Sequence, residues 1–381
     1  MAFRRVVAGV LAALVAALLV PATAGAEDIR SQEWEMSMLG YQQAWKYSTG
    51  AGVEVAVLDS GVDADHPDLS GKVLSGIDLV DGSTDGRKDF VGHGTSVADL
   101  IAGHRSGDGV VGLAYESTIL PVRVLDANNR YDDAQIIASG VRWAVDHGAR
   151  IINVSLGGAA YSAPLADALT YAFNHDVVVV ACAGNVEDHA GKGVWYPGRA
   201  PGVIAVSGLD PDGVFWSGSV HGSQVALSAP ANDLIGARPG GYWHVQGTSF
   251  AAPLVTATAA LIRARWPNMS AANVVNRLIR TADDLGPTGR DPHYGYGVVD
   301  PAKALTAHVP SVAANPLDTS SPSASSAGGA GAAESPTTAA AAPATTDQPY
   351  NAALIALAVI MLILVATILA LLLRHTSRTR S

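Results

Sequence analysis

The chain has 381 residues, 49% of them hydrophobic and 15% charged, which is enough apolar material for a sizeable core and unlike the composition of a disordered protein. Its formal net charge is −10, and setting aside the five arginines of the two chain ends leaves 19 basic against 34 acidic residues, a net −15 for the rest. That balance argues against a nucleic-acid binder and against adhesion through a basic membrane patch, while the single cysteine, Cys182, excludes an intrachain disulfide.

In chain order, residues 1–26 combine Arg4 and Arg5, an apolar run over 6–20, and the small residues Ala24, Gly25 and Ala26. This is the build of a secretory signal peptide cleaved after Ala26, with an uncleaved signal anchor as the alternative. Residues 27–49 form an N-terminal extension. Apolar runs at 53–59, 118–126, 150–156, 177–183 and 202–207 predict strands. Helices are predicted between them. One spans 95–102, directly after His93, and Gly103 can end it. Another spans 132–147, with Ile136, Ile137, Val141, Ala144 and Val145 on a common face, and a third spans 162–174. Ser249 begins a fourth, which Pro267 stops, and Pro253 is tolerated in its first turn because no internal hydrogen bond is lost there. Near-continuous apolar strands separated by helices predict an α/β fold, a parallel β-sheet covered by helices on both faces. In such folds the site lies in loops at the carboxyl ends of strands, where Asp59 and Asn185 fall. The main folded domain is expected to run over 50–308.

Residues 309–350 are dominated by Ala, Ser, Thr, Pro and Gly without hydrophobic periodicity, the composition of a flexible linker. Residues 351–373 then form the expected single C-terminal transmembrane helix, since 352–373 hold no charge and are long enough to cross a hydrocarbon core of ~30 Å. Arg374, Arg378 and Arg380 lie in the tail at 374–381, which the positive-inside tendency assigns to the cytoplasm. The expected location is therefore the cell membrane, with one span and the folded domain outside the cytoplasm.

Three segments carry the chemistry: Asp59 in VAVLDSGVDADHPDL, His93 in GHGTSVADLIAG and Ser249 in GTSFAAPLV. A serine hydroxyl is a poor nucleophile until an imidazole in hydrogen-bond reach removes its proton, and a carboxylate fixes the tautomer of that imidazole and stabilises its cationic form. Singly, each residue has a blander reading, as a turn, a structural histidine or a helix cap. Together, and with SLGG at 155–158, ACAGN at 181–185 and YGYGVVDPAKAL near 294–305, they resemble the subtilisin-like serine peptidases, whose triad follows the order Asp, His, Ser. The resemblance covers about 53–305. It implies Asp59, His93 and Ser249 as catalytic residues and Asn185 as a donor to the oxyanion. It also implies that Ser155, Leu156, Gly157, Gly158, Ala183 and Gly184 line a cleft for a polypeptide substrate.

Within that family the chain is most similar to the mycosins, membrane-anchored subtilases associated with type VII secretion, in its sequence of signal peptide, short extension, peptidase and membrane helix. DIRSQEW followed by YQQAWKYSTGAGVEVAVLDSGVD resembles the mycosin entry into the domain. It differs from mycosins that carry disulfides and from subtilases with His at the position of Ser96. Type VII secretion membrane components are the partners this resemblance implies. A scaffold stabilising such a membrane complex, with proteolysis secondary, is the alternative function.

No cofactor is expected. Acidic loops at Asp63, Asp65, His66 and Asp68 and at Asp126, Asn128, Asn129, Asp132 and Asp133 have oxygen ligands of the kind calcium prefers but lack the EF-hand pattern, so they read as solvated turns. Cys182 lies in an apolar strand and reads as a buried inert thiol, against the alternatives of nucleophile or metal ligand.

Overall fold

The computed structural model describes residues 29–188, 193–319 and 339–340. The expected signal peptide, the transmembrane helix, the cytoplasmic tail and most of the linker lie outside them. No helix among the described residues is long and apolar enough to cross a membrane.

The strands in chain order are β1 (Glu54–Asp59), β2 (Ile77–Asp78), β3 (Thr118–Arg123), β4 (Arg130–Tyr131), β5 (Ile151–Val154), β6 (Val178–Cys182), β7 (Ile204–Leu209), β8 (Val225–Pro230), β9 (Leu234–Arg238), β10 (Gly241–Val245) and β11 (Ala339–Ala340). The helices are α1 (Trp34–Met38), α2 (Tyr41–Ala44), α3 (His93–Ala102), α4 (Ala134–Asp146), α5 (Ala163–Asn174), α6 (Thr248–Arg265), α7 (Ala271–Arg280) and α8 (Pro301–Thr306). Seven strands form one sheet in the order β2-β3-β1-β5-β6-β7-β8, and each neighbouring pair is parallel.

Both faces of this sheet are covered, which explains why its strands are apolar without alternation. Val55 and Val57 of β1 and Val178 and Val180 of β6 pack into a core with Val97 and Leu100 of α3 and Leu254 and Leu261 of α6. The intervening Ala56, Leu58, Val179 and Ala181 meet Ile137, Val141, Leu165 and Leu169 of α4 and α5 on the other side. Because α6 is buried from Thr248 to Arg263, its sequence is apolar or small around most of its circumference.

Helix α3 begins at His93 rather than after it. The Asp89 carboxylate explains the earlier start: one oxygen accepts from the amides of Val91 (2.9 Å) and Gly92 (2.7 Å), and the other from the amide and hydroxyl of Thr95 (2.9 and 2.7 Å). A carboxylate so placed satisfies donors left open at a helix start and opposes the positive end of its dipole. The antiparallel hairpin β9–β10 and strand β8 extend the fold beyond the elements expected from periodicity. Inside the stretch read as a linker, Ala339 and Ala340 pair antiparallel with Tyr131 and Arg130.

The N-terminal extension is built into the domain. The Glu33 carboxylate accepts from the amide of Val111 at 2.7 Å, the indoles of Trp34 and Trp45 donate to the carbonyls of Asp233 (3.0 Å) and Leu113 (2.8 Å), and the Ser48 hydroxyl donates to the carbonyl of Leu261 in α6 at 2.8 Å. Tyr41 and Ala44 are fully buried, and α2 packs against α8. Glu35 is shut away too, and neither of its carboxylate oxygens has a hydrogen-bond partner. Burial, with the charge of Glu33 beside it, holds its carboxyl well above the ordinary carboxylate range.

Candidate active site

Asp59 ends β1, and Asp89 with Gly92 sets the start of α3, so the first carboxylate and the imidazole meet at the carboxyl edge of the sheet. Asp59 Oδ1 lies 2.7 Å from His93 Nδ1 and also accepts the Ser60 amide at 2.8 Å. Neither Asp59 nor His93 has any exposed surface. A carboxylate accepts only, so the hydrogen-bond network assigns the imidazole proton to Nδ1 and leaves the Nε2 lone pair free to take another. Ser60 joins the two acidic groups, with its hydroxyl donating to Asp89 at 2.9 Å and accepting the Gly94 amide at 3.0 Å.

Ser249 is the second residue of α6, and the following Phe250 lies 5.1 Å from the His93 ring, centroid to centroid. That contact seats the imidazole over the start of the helix that carries the hydroxyl. His93 Nε2 and Ser249 Oγ are both buried, and neither has a hydrogen-bond partner. Ser249 is fixed from beneath by a polar chain through the core: its carbonyl accepts the Ser155 hydroxyl (2.6 Å), which accepts from Asn153 Nδ2 (2.9 Å), whose Oδ1 accepts the Thr256 hydroxyl (2.9 Å). Buried polar groups linked in this way hold one geometry, since breaking any link strands a partner out of water.

Asn185 follows β6 and faces the same place. Its Oδ1 accepts the amide and hydroxyl of Thr248 (2.9 and 3.1 Å), which turns Nδ2 outward, 3.1 Å from Asp188 Oδ2. A Cβ built on Gly247 would lie 3.0 Å from Ser249 Oγ and 3.6 Å from Asn185 Nδ2. The hydroxyl and the amide nitrogen therefore line one small space, which the absence of a side chain at Gly247 keeps open.

The structure thus brings together Asp59, His93, Ser249 and Asn185, and ties the segments 155–158 and 183–185 to the start of α6 beside them. Ser155 serves as a support for Ser249, and Leu156 turns its side chain into the α4–α5 core, so any part it takes in a cleft is through its backbone. Gly158 and Tyr196 exchange backbone hydrogen bonds (3.0 and 2.8 Å), and the Trp195 amide donates to the Ala183 carbonyl (2.9 Å), so 194–196 closes the space between the two segments. Asp89, Asn153, Thr256 and Trp195 were missed in the sequence. A polar Asn within the apolar run IINVSL was the one available signal.

Cys182 is fully buried, and burial pushes its thiol up to about 12. Asp126 accepts the amides of Asn128 (2.8 Å) and Arg130 (2.9 Å), and Asp63 accepts that of Asp65 (3.2 Å), which are local turn hydrogen bonds. His66, Asp68 and Asn129 are buried rather than solvated, because Asp68 accepts the Val110 amide and the Tyr242 hydroxyl (both 3.0 Å) and the loops pack against the domain.

The sequence model of the Subtilase family matches residues 50–297. Thermitase of Thermoactinomyces vulgaris is 35% identical over 277 residues, covering 72% of this chain and 96% of thermitase. Fervidolysin of Fervidobacterium pennivorans is 35% identical over 321 residues, and the match spans 75% of this chain but only 45% of fervidolysin. Among solved structures, MycP1 with its N-terminal propeptide removed superposes with a TM-score of 0.67 at 30% identity, covering 73% of this chain and 98% of MycP1. MycP3 protease from the type VII (ESX-3) secretion system gives 0.64 at 32% identity, covering 72% and 88%.

Proposed function

This chain belongs to the subtilase family of serine peptidases, and we propose that it is an endopeptidase in which Ser249 attacks the peptide carbonyl and His93 and Asp59 activate it. As Oγ bonds to the carbonyl carbon, its proton passes to His93 Nε2, and Asp59 stabilises the resulting imidazolium. Asn185 Nδ2 and the Ser249 amide, at the start of α6, hold the negative charge that develops on the carbonyl oxygen. His93 then gives the proton to the departing amine, and a water deprotonated by the same imidazole releases the acyl group from Ser249. The observation that carries this reading is the buried 2.7 Å contact of His93 Nδ1 with Asp59, together with a buried Nε2 and a buried Ser249 Oγ that have no hydrogen-bond partner. Ser249→Ala should abolish both peptide hydrolysis and labelling by a serine-directed fluorophosphonate; equal labelling of the two proteins refutes the assignment.

We further propose that the enzyme sits on the outer side of the cell membrane, held by the apolar stretch 352–373, where it processes proteins linked to type VII secretion. Its support is the likeness to MycP1 and MycP3 and the order of segments along the chain. Export in a deletion strain separates catalysis from scaffolding. Rescue by wild type but not by Ser249→Ala supports processing, and equal rescue supports a scaffold. Protection of the 374–381 tail from external protease, with the domain accessible, tests the orientation.

A further inference from the structure

Resting on this peptidase reading, we infer that Trp195 blocks the space for the substrate side chain on the acyl side of the cleaved bond, and so restricts that residue to Gly, Ala or Ser. With the attacking Oγ on Ser249 and the oxyanion at Asn185, that side chain falls between the two backbone segments that adjoin them, 155–158 and 183–185. Gly157, Gly158 and Gly184 are the positions where these walls carry no side chain, and they would leave a slot if nothing else entered it.

The indole of Trp195 enters it. A Cβ built on Gly184 would lie 2.4 Å from Trp195 Cδ2 and 2.5 Å from Cε2, so the ring lies directly against the Gly184 backbone. On the opposite wall a Gly157 Cβ would lie 3.3 Å from Trp195 Cβ. The side chain is 1% exposed. Its backbone cannot swing aside, because the Trp195 amide is bonded to Ala183 at 2.9 Å and the adjacent Tyr196 pairs with Gly158 at 2.8 and 3.0 Å. A methyl or hydroxymethyl group adds little to such a floor. A benzyl or isobutyl group must displace a ring that close packing holds in place.

Discrimination of this kind, set by volume in an apolar pocket, is worth about 10- to 200-fold in kcat/KM. The test uses the full chain in detergent and a set of internally quenched peptides that differ only at the acyl-side residue: Ala, Ser, Val, Leu or Phe. Ala and Ser peptides should exceed the Phe peptide by that factor. Trp195→Gly should raise the Phe-to-Ala ratio by about the same factor, and Trp195→Phe should raise it partway. Simple loss of packing would slow all five peptides alike and leave the ratio unmoved.

Equal kcat/KM for the Ala and Phe peptides in wild type overturns the inference without any variant. An unchanged ratio in a Trp195→Gly or Trp195→Phe protein that still labels with fluorophosphonate overturns it as well. Wild-type protein that fails to label refutes the peptidase reading itself, so the two failures are distinguishable.

Discussion

Asp59 Oδ1 and His93 Nδ1 lie 2.7 Å apart in a place no solvent reaches, and the carboxylate that joins them takes a second hydrogen bond from the Ser60 amide. The pairing fixes the imidazole, whose ring lies 5.1 Å from that of Phe250 near the start of α6. Asp59→Asn preserves the shape but replaces an acceptor with a group that can donate, which favours the wrong tautomer. Turnover should fall on the order of 10⁴-fold, the size of this change in a chymotrypsin-fold serine peptidase, with KM nearly constant. Steady-state kinetics on a single peptide decide it.

Asn185 Nδ2 is the proposed side-chain donor to the oxyanion, yet a carboxylate oxygen of Asp188 stands 3.1 Å from it. Asn185→Ala should reduce turnover about 10²- to 10³-fold, a magnitude taken from the corresponding asparagine of subtilisin. Asp188→Asn should act in the opposite direction. Removing a negative charge near the site where another develops should raise turnover several-fold, and pre-steady-state acylation rates measure it directly.

Asn153→Ala breaks the chain Thr256–Asn153–Ser155–Ser249 at its middle. It leaves the Thr256 hydroxyl without its acceptor and the Ser155 oxygen without its donor, although Ser155 still donates to the Ser249 carbonyl, at a cost of roughly 1–3 kcal/mol. A lowered melting temperature checks that loss. A fall in the fluorophosphonate labelling rate of the folded variant checks that the chain also positions Ser249.

Glu35 gives a pH dependence with a defined sign. Its carboxyl titrates well above the ordinary range in the folded protein, because burial and Glu33 disfavour its charge, and returns to that range on unfolding. The folded state therefore binds the proton more tightly. The stability this contributes is complete below the unfolded value and is lost as pH rises towards the folded one. Glu35→Gln cannot ionise. Relative to wild type, the variant should gain stability steadily as pH is raised from about 4 to 8, and melting curves across that range would expose any other trend.

The Cys182 thiol, pushed up to about 12 by burial, should be silent to thiol reagents in the native protein. Titration with a chromogenic disulfide before and after denaturation should show no reaction and then one equivalent.

Much of this architecture was legible in advance because β1, β3, β5 and β6 are buried on both faces, and that condition writes itself as unbroken apolar runs. The three residues of the proposed triad could be picked out because each sits in a short motif whose neighbours are set by close packing. Local rules were silent elsewhere. Strand β8, VALSAP, contains Ser and Pro, and the hairpin β9–β10 carries polar or exposed residues on one arm, so neither has a strong period. Helix α3 started early because of Asp89, a capping residue four positions upstream of His93 whose reach depends on how the loop folds. Trp195 was invisible for a similar reason. Its importance comes from lying on Gly184, eleven residues away, and nothing in VWYPG announces that contact.

Ser48 holds the carbonyl of Leu261 and α8 packs on α6, so both ends of the folded domain bear on the one helix that carries Ser249. A displacement of either segment is therefore felt along the helix on which the proposed nucleophile sits.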